Sequence, residues 1–290
     1  MKKDISIMLP SIRPQFLDIF YDTATKACKK HSFEIIVPGP FDVSAEARRN
    51  PNVKILKTYA APTVAIQMAM QMCSGELVYY AVDDQVLLEN VLDETIEVHR
   101  DKLKQKDVIC MKYHEDPTLL NYKTMELLKE EITAPTQDIW FAGMYGDLRL
   151  PGIDPNWRLA PLFCMKVEYF HELGGFDCRW EYTNCPVHDL IFRIQSDGGK
   201  VINSPSLISI GAWQPNHTGD HAPVHDAQLG PDTILFNQIY SEPDAASRRI
   251  KLCYSNWKEQ PDVWARRFNT TPLWATREEY EATLPDYQTK

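Results

Sequence analysis

No Cys-x-x-Cys pair and no His-Glu-x-x-His occurs in the 290 residues, so the common zinc scaffolds are missing. No apolar run approaches the roughly 20 residues needed to cross a bilayer. No integral membrane segment is therefore expected, and any membrane work would be peripheral. A basic excess is missing too. Net charge is -9 and the pI is near 5.4, the wrong balance for a duplex-DNA binder that relies on neutralising phosphates. "MKKDISIMLPSIRP" has two lysines but no long apolar stretch behind them, and does not read as a signal peptide. Internal repeats and low-complexity segments are absent. The seven cysteines, Cys28, Cys73, Cys110, Cys164, Cys178, Cys185 and Cys253, are scattered and odd in number. That usage fits reduced thiols in a cytoplasmic protein, with a Cys178–Cys185 bridge left open.

Hydrophobic residues make up 44% of the chain, enough to bury the core of one large domain or of a domain with an appendage. The apolar stretches 5–10, 33–40, 52–57, 76–82 and 107–112 read as short strands. Between them, 14–30, 61–75 and 90–106 read as helices, the first with Phe16, Phe20, Ala24 and Ala27 on one side. Strands alternating with helices predict an α/β fold with a mostly parallel sheet flanked by helices. Further on, 118–131 reads as a helix, and 160–177 as a strand, a short helix and a Gly-Gly stop. Residues 185–202 read as a helix followed by a strand, and 206–213 as another strand. The stretch 214–232 has no period. Residues 233–290, with Trp257, Trp264 and Trp274, read as a helical C-terminal appendage.

Four groups of residues could carry chemistry. Asp83 and Asp84 follow the fourth strand directly, and in parallel sheets ligands sit outside the carboxyl ends of the strands. An acidic pair there suits a hard divalent cation, although Asp is also an ordinary turn residue. Asp189 falls near the start of a helix, where it could be a general base or merely complement the helix dipole. His217, His221 and His225 lie among Pro215, Gly219 and Pro223, on a loop that could contribute one metal ligand or simply be solvated. Ser11 and Arg13, in "LPSIRP", are placed to meet a nucleotide or anion, or to start a helix with Pro14 at its first position.

Taken in order, these pieces resemble family 2 glycosyltransferases of the GT-A fold. The turn "LPSIRP" is similar to the family's "PT-x-N-R-P", and "FEIIVPGP" to its second strand. "AMQMCSGELVYYAVDDQ" is similar to the segment that ends in the acidic DxD-type motif. "MKVEYFHELGGFDCRW" resembles the acceptor-side segment with its "GGFDE", and "HDLIFRIQSDGGKV" the helix opened by an "ED" pair. The resemblance covers about residues 4–205. Three departures are plain: "VPGP" stands where the family has "VDDGS", the helix opens on His-Asp where the family has Glu-Asp, and the acidic motif is Asp-Asp-Gln.

The resemblance implies a metal-dependent transfer of a sugar from a nucleoside-diphosphate sugar, most readily a UDP-sugar, to an acceptor hydroxyl with inversion. Residues 1–112 would form the nucleotide-sugar half and 113–232 the acceptor half. Pro10, Ser11, Arg13 and Asp83 would bind the donor. Asp84, with His221, would hold Mn²⁺ or Mg²⁺. Asp189 would be the base, and Trp180, Glu181 and His188 would lie on the acceptor side. The acceptor would be a glycan or a hydroxymethylated base of viral DNA, with Arg248, Arg249, Lys251, Arg266 and Arg267 as local basic groups. A nucleotidyltransferase is the first alternative, but "LPSIRP" lacks the glycines of its phosphate loop. A non-catalytic nucleotide-sugar-binding protein is the second.

Overall fold

The computed structural model describes residues 2–40, 50–121, 123–129, 132, 140–212 and 227–250. Its centre is a seven-stranded sheet built from β1 (Lys3–Met8), β2 (Phe33–Gly39), β3 (Val53–Lys57), β4 (Gly75–Tyr80), β6 (Val108–Cys110), β10 (Phe163–Lys166) and β11 (Val201–Asn203). The strand order is β11-β6-β10-β4-β1-β2-β3. All neighbours pair in parallel except β10, which runs antiparallel to both β4 and β6. The α/β reading of the sequence is therefore observed.

The strands are apolar because helices cover both faces of the sheet. β2 is buried at every position. The buried Glu34 within it is compensated by Ser6 at 2.7 Å, the Ser74 amide at 2.6 Å and Lys54 at 2.7 Å. Burial alone would raise its carboxyl, but these partners hold it below its ordinary value. Helix α1 (Leu17–Ala27) buries Leu17, Phe20, Ala24 and Ala27, close to the predicted stripe. Helices α2 (Pro62–Ala69) and α3 (Val91–Lys102) also match their predicted segments, with narrower limits.

A small second sheet joins β5 (Gln85–Leu87), β12 (Ser209–Gly211) and β7 (Tyr113–Glu115) in the order β5-β12-β7. It sets the end of the 206–213 segment beside the acidic pair, because the Ala212 amide donates to the Asp84 carbonyl at 2.7 Å. A second hydrophobic cluster gathers Trp180, Phe192, Phe236 and Tyr240. Its helices are α5 (Asn184–Ser196) and α6 (Thr233–Tyr240). Thus the start of the expected appendage packs against the helix that carries Asp189. Residues 251–290, including Cys253, Lys251, Trp257, Trp264, Trp274, Arg266 and Arg267, lie outside the described residues. Cys178 and Cys185 are not bonded to each other.

One expectation fails. Within 118–131 the described residues form no helix; β8 (Leu120–Asn121) and β9 (Glu126–Leu127) pair as an antiparallel hairpin. The polar side chains win over the apolar period here. The Asn121 side chain accepts from the amides of Lys123 and Thr124, and the Asn121 carbonyl accepts from Met125, whose φ is +56°.

The Gly174–Gly175 turn after α4 (Val167–Glu172) is held by the side chain of Gln67 on α2. Both glycines have positive φ, +83° and +67°. The Gln67 side chain donates to the Gly174 carbonyl at 3.1 Å and accepts from the Phe176 amide at 2.9 Å. A Cβ on Gly175 would collide with the Gln67 amide head. Gly175→Ala is therefore expected to cost at least about 1–2 kcal/mol from the backbone alone. A shift of the urea midpoint checks this; an unchanged midpoint would contradict it.

Candidate functional site

The chain crosses from one side of the sheet to the other between β1 and β4. β2 and β3 lie on one flank of β1, and β4 is laid down on the other. The crevice outside the carboxyl ends of β1 and β4 is thus a topological switch point, where open α/β sheets bind ligands. The β1–β4 register pairs Met8 with Tyr80, and carrying it onward sets Ser11 opposite Asp83.

Side chains from the two strand ends meet there. The Ser11 hydroxyl donates to Asp83 Oδ2 at 2.6 Å and accepts from the Arg13 amide at 2.9 Å. Arg13 reaches Asp83 Oδ1 at 2.5 Å and Asp84 Oδ2 at 3.2 Å. Ser11, Arg13 and Asp83 are buried, whereas the Asp84 side chain is 14% exposed. Two adjacent carboxylates can end a buried strand because a guanidinium from the next strand bridges them. Pro14 does open a short helical turn, whose N-cap residue is Arg13, and the Ser11 hydroxyl bonds the amide of that residue. Pro10 is at the same strand end. Gln85 is spoken for elsewhere, bonded to Tyr79 at 3.1 Å and to Ser209 at 2.6 Å.

Among the described residues no three of His, Cys, Asp and Glu gather into a metal set. Asp84 offers carboxylate oxygens at a partly open strand end, Oδ2 lying 3.2 Å from Arg13. It fits a Mg²⁺- or Mn²⁺-type ion that takes its remaining ligands from phosphate oxygens and water. His221, with His217 and His225, lies outside the described residues.

Asp189 needs correction on two points. It is in the second turn of α5, whose first turn holds no acid, so the dipole reading does not apply. It is also 0% exposed. Arg193 donates to its Oδ2 at 2.8 Å, Tyr240 donates to Oδ1 at 2.7 Å, and Arg248 pairs with Oδ1 as well. Its oxygens are occupied by an internal charge cluster among the described residues. Arg248 is therefore no solvated basic group. It stacks over Trp180 and Tyr240, while Arg249 pairs with Asp197 at 2.8 Å.

Trp180 is corrected in the same way. It is 1% exposed, packs on Phe236 and donates its indole N–H to the Asp232 carbonyl at 3.2 Å, so it belongs to the core. The backbone of Glu181 is fixed between Asp232 and Thr63, at 2.9 and 3.2 Å. The bonds of Asp232 to Trp180 and Tyr182 and of Arg248 to Asp189 carried no signal in the sequence because they span 50 or more residues.

His188 differs from its neighbour in sequence. It lines a cavity of about 370 Å³ between α5, α6 and the segment 140–148. Burial lowers its pKa from 6.5 to about 4, against an opposing pull from Asp147, so the ring is neutral at pH 7. Burial lowers His99 and His171 as well. Below pH 6.5 the unfolded chain then binds more protons than the folded one, so stability is lost as pH falls from 6.5 toward 4. The His188 share is up to about 3 kcal/mol. Melting temperatures at pH 7.5, 6, 5 and 4 check this, and a flat profile down to pH 4.5 would contradict it.

No known family's profile matches the chain, and no curated protein matches it. Solved structures do resemble it. TarS of S. aureus, residues 1–349 in complex with UDP, is 10% identical over 83% of this chain and 68% of that one, with a TM-score of 0.49. The longer TarS structure is 11% identical over 73% of this chain, with a TM-score of 0.48. GalNAc-T7 with UDP, GalNAc and Mn²⁺ is 13% identical over 73% of this chain, with a TM-score of 0.49. The chain spans 37% of the longer TarS structure and 44% of GalNAc-T7. The site described above is built from this chain's own residues.

Proposed function

We propose that the chain is a glycosyltransferase of the GT-A type that binds a nucleoside-diphosphate sugar, most readily a UDP-sugar, in the β1–β4 crevice. The observation that carries this is the joining of Ser11, Arg13, Asp83 and Asp84 across the switch point, from two motifs that the family resemblance had named separately. In this reading Pro10, Ser11 and Arg13 line the nucleoside, and Asp83 holds them in place. Asp84, with His221, would hold Mn²⁺ or Mg²⁺. Such an ion, when bound, offsets the charge that builds on the leaving diphosphate. The acceptor oxygen attacks C1 and the C1–O bond to the diphosphate breaks. Its electron pair leaves on that oxygen, and the acceptor's proton passes to a base. A single displacement inverts C1.

The sealed position of Asp189 favours a second reading, a protein that binds nucleotide sugars without transferring them. With Arg248 in place both Asp189 oxygens are engaged, and it serves as base only where that pairing opens. A panel of nucleotide sugars, tested with Mn²⁺, Mg²⁺ or chelator, separates the readings. The transferase reading expects metal-dependent nucleotide release from one donor, cut at least about tenfold by Asp84→Asn. Donor binding without release would favour the second reading. No binding of any donor would sink both.

A further inference from the structure

We propose that the cavity beside α5 binds an uncharged saccharide, and that it is the acceptor site of the transfer reaction. The inference rests on the glycosyltransferase reading for the word acceptor, but the cavity stands by its own chemistry. Its volume, about 370 Å³, is in the range of small-molecule sites. Two kinds of wall face each other. Tyr113, Trp140 and Tyr145 supply aromatic surface, with Tyr113 and Trp140 set edge to face at 6.2 Å. Asp147, His188 and Asn237 supply polar atoms. The Nδ1 of His188 is buried with no hydrogen-bond partner among the described residues.

A sugar ring matches that division, since it offers an apolar C–H face to an aromatic ring and a rim of hydroxyls to planar polar groups. Other ligand classes fit less well. Among the described residues the lining holds no lysine or arginine, and its one formal charge is the Asp147 carboxylate. A phosphate-bearing ligand, including a DNA strand, would meet no counter-charge there. A wholly apolar ligand would leave Asp147 and His188 desolvated and unpaired. Tyr113 also links the cavity to the donor crevice. It lies on β7, whose sheet neighbour β12 runs on to Ala212, and the Ala212 amide donates to the Asp84 carbonyl at 2.7 Å.

Titrating the full chain with methyl hexosides, methyl N-acetylhexosaminides and neutral disaccharides, followed by saturation-transfer NMR, tests the site. An oligonucleotide carrying 5-hydroxymethylcytosine is run alongside at low salt. Tyr145 is 38% exposed and Asp147 is exposed, so Tyr145→Ala and Asp147→Asn should leave the fold intact, and melting curves confirm it. The expected result is saturable binding of at least one saccharide, weakened about tenfold or more by each variant, with UDP binding unchanged. No saccharide binding at tens of millimolar would overturn the proposal. So would binding indifferent to both variants, or oligonucleotide binding that both variants abolish. Saccharide binding without any UDP binding would keep the cavity as a carbohydrate site while the transferase reading fell. UDP binding without saccharide binding would do the reverse.

Discussion

Replacing Asp189 by alanine is expected to destabilise the protein by about 3–5 kcal/mol, enough to unfold many domains of this size. The side chain is fully buried, and two guanidiniums close on it from opposite directions. Arg193 is itself buried and also donates to the Leu173 carbonyl at 2.8 Å and to the Gly175 carbonyl. Arg248 lies over Trp180 and Tyr240 and donates to the Ala245 carbonyl at 2.9 Å. Without the carboxylate, the buried Arg193 would lose its ion pair, and Arg248 would keep only the more distant Asp177 carboxylate at 3.7 Å. Asp189→Asn keeps the volume but not the charge, so it should also lower the urea midpoint sharply. A pure catalytic role makes the opposite forecast: turnover lost, midpoint unchanged. Measuring midpoint and donor binding on the same samples separates the two.

Arg13→Met should have an effect of similar size. The guanidinium is the bridge between Asp83 and Asp84, and Asp83 is 7% exposed. Removing it leaves a buried carboxylate with the Ser11 hydroxyl and a second negative charge beside it. A cost of about 3–5 kcal/mol is expected, part of it relieved because Asp84 is closer to solvent. Adding Asp83→Asn to Arg13→Met should recover a large share, since one of the two adjacent charges is then gone. Arg13→Lys should recover little, because a single ammonium cannot hold two carboxylates in the forked geometry. An additive double variant, with no recovery, would show that the ion pairs contribute little.

Much of the fold was legible because it is local. β1, β2 and β4 are mostly apolar runs followed within a few residues by Pro or Asp, and α1 shows its buried stripe in Phe20, Ala24 and Ala27. The placement of Asp83 and Asp84 on the sheet rim followed from the same pattern. What stayed hidden is long-range or short. Arg13 and Asp83 are 70 residues apart, and Arg248 and Asp189 are 59 apart; no periodicity announces such pairs. β5, β7 and β12 have three residues each, too few to show a period. The 118–131 stretch misled because its leucines and Met125 have helical spacing, while the Asn121 side chain bonds the backbone and starts a turn. At "HD", adjacent residues of one helix turn part ways: Asp189 points into the core and His188 lines the cavity, a distinction that depends on where α6 packs.

The most direct test of the donor site is calorimetric titration of uridine diphosphate with Mn²⁺ into the wild type and Asp84→Asn. The substitution keeps the side-chain shape at a partly exposed position and leaves the Arg13–Asp83 pair intact, so melting temperature should not move. The predicted result is one saturable site in the wild type that needs the metal and weakens at least about tenfold, or about 1.4 kcal/mol, in the variant. Equal affinity in both proteins, or no binding with or without Mn²⁺, would contradict a nucleotide site at the carboxyl ends of β1 and β4.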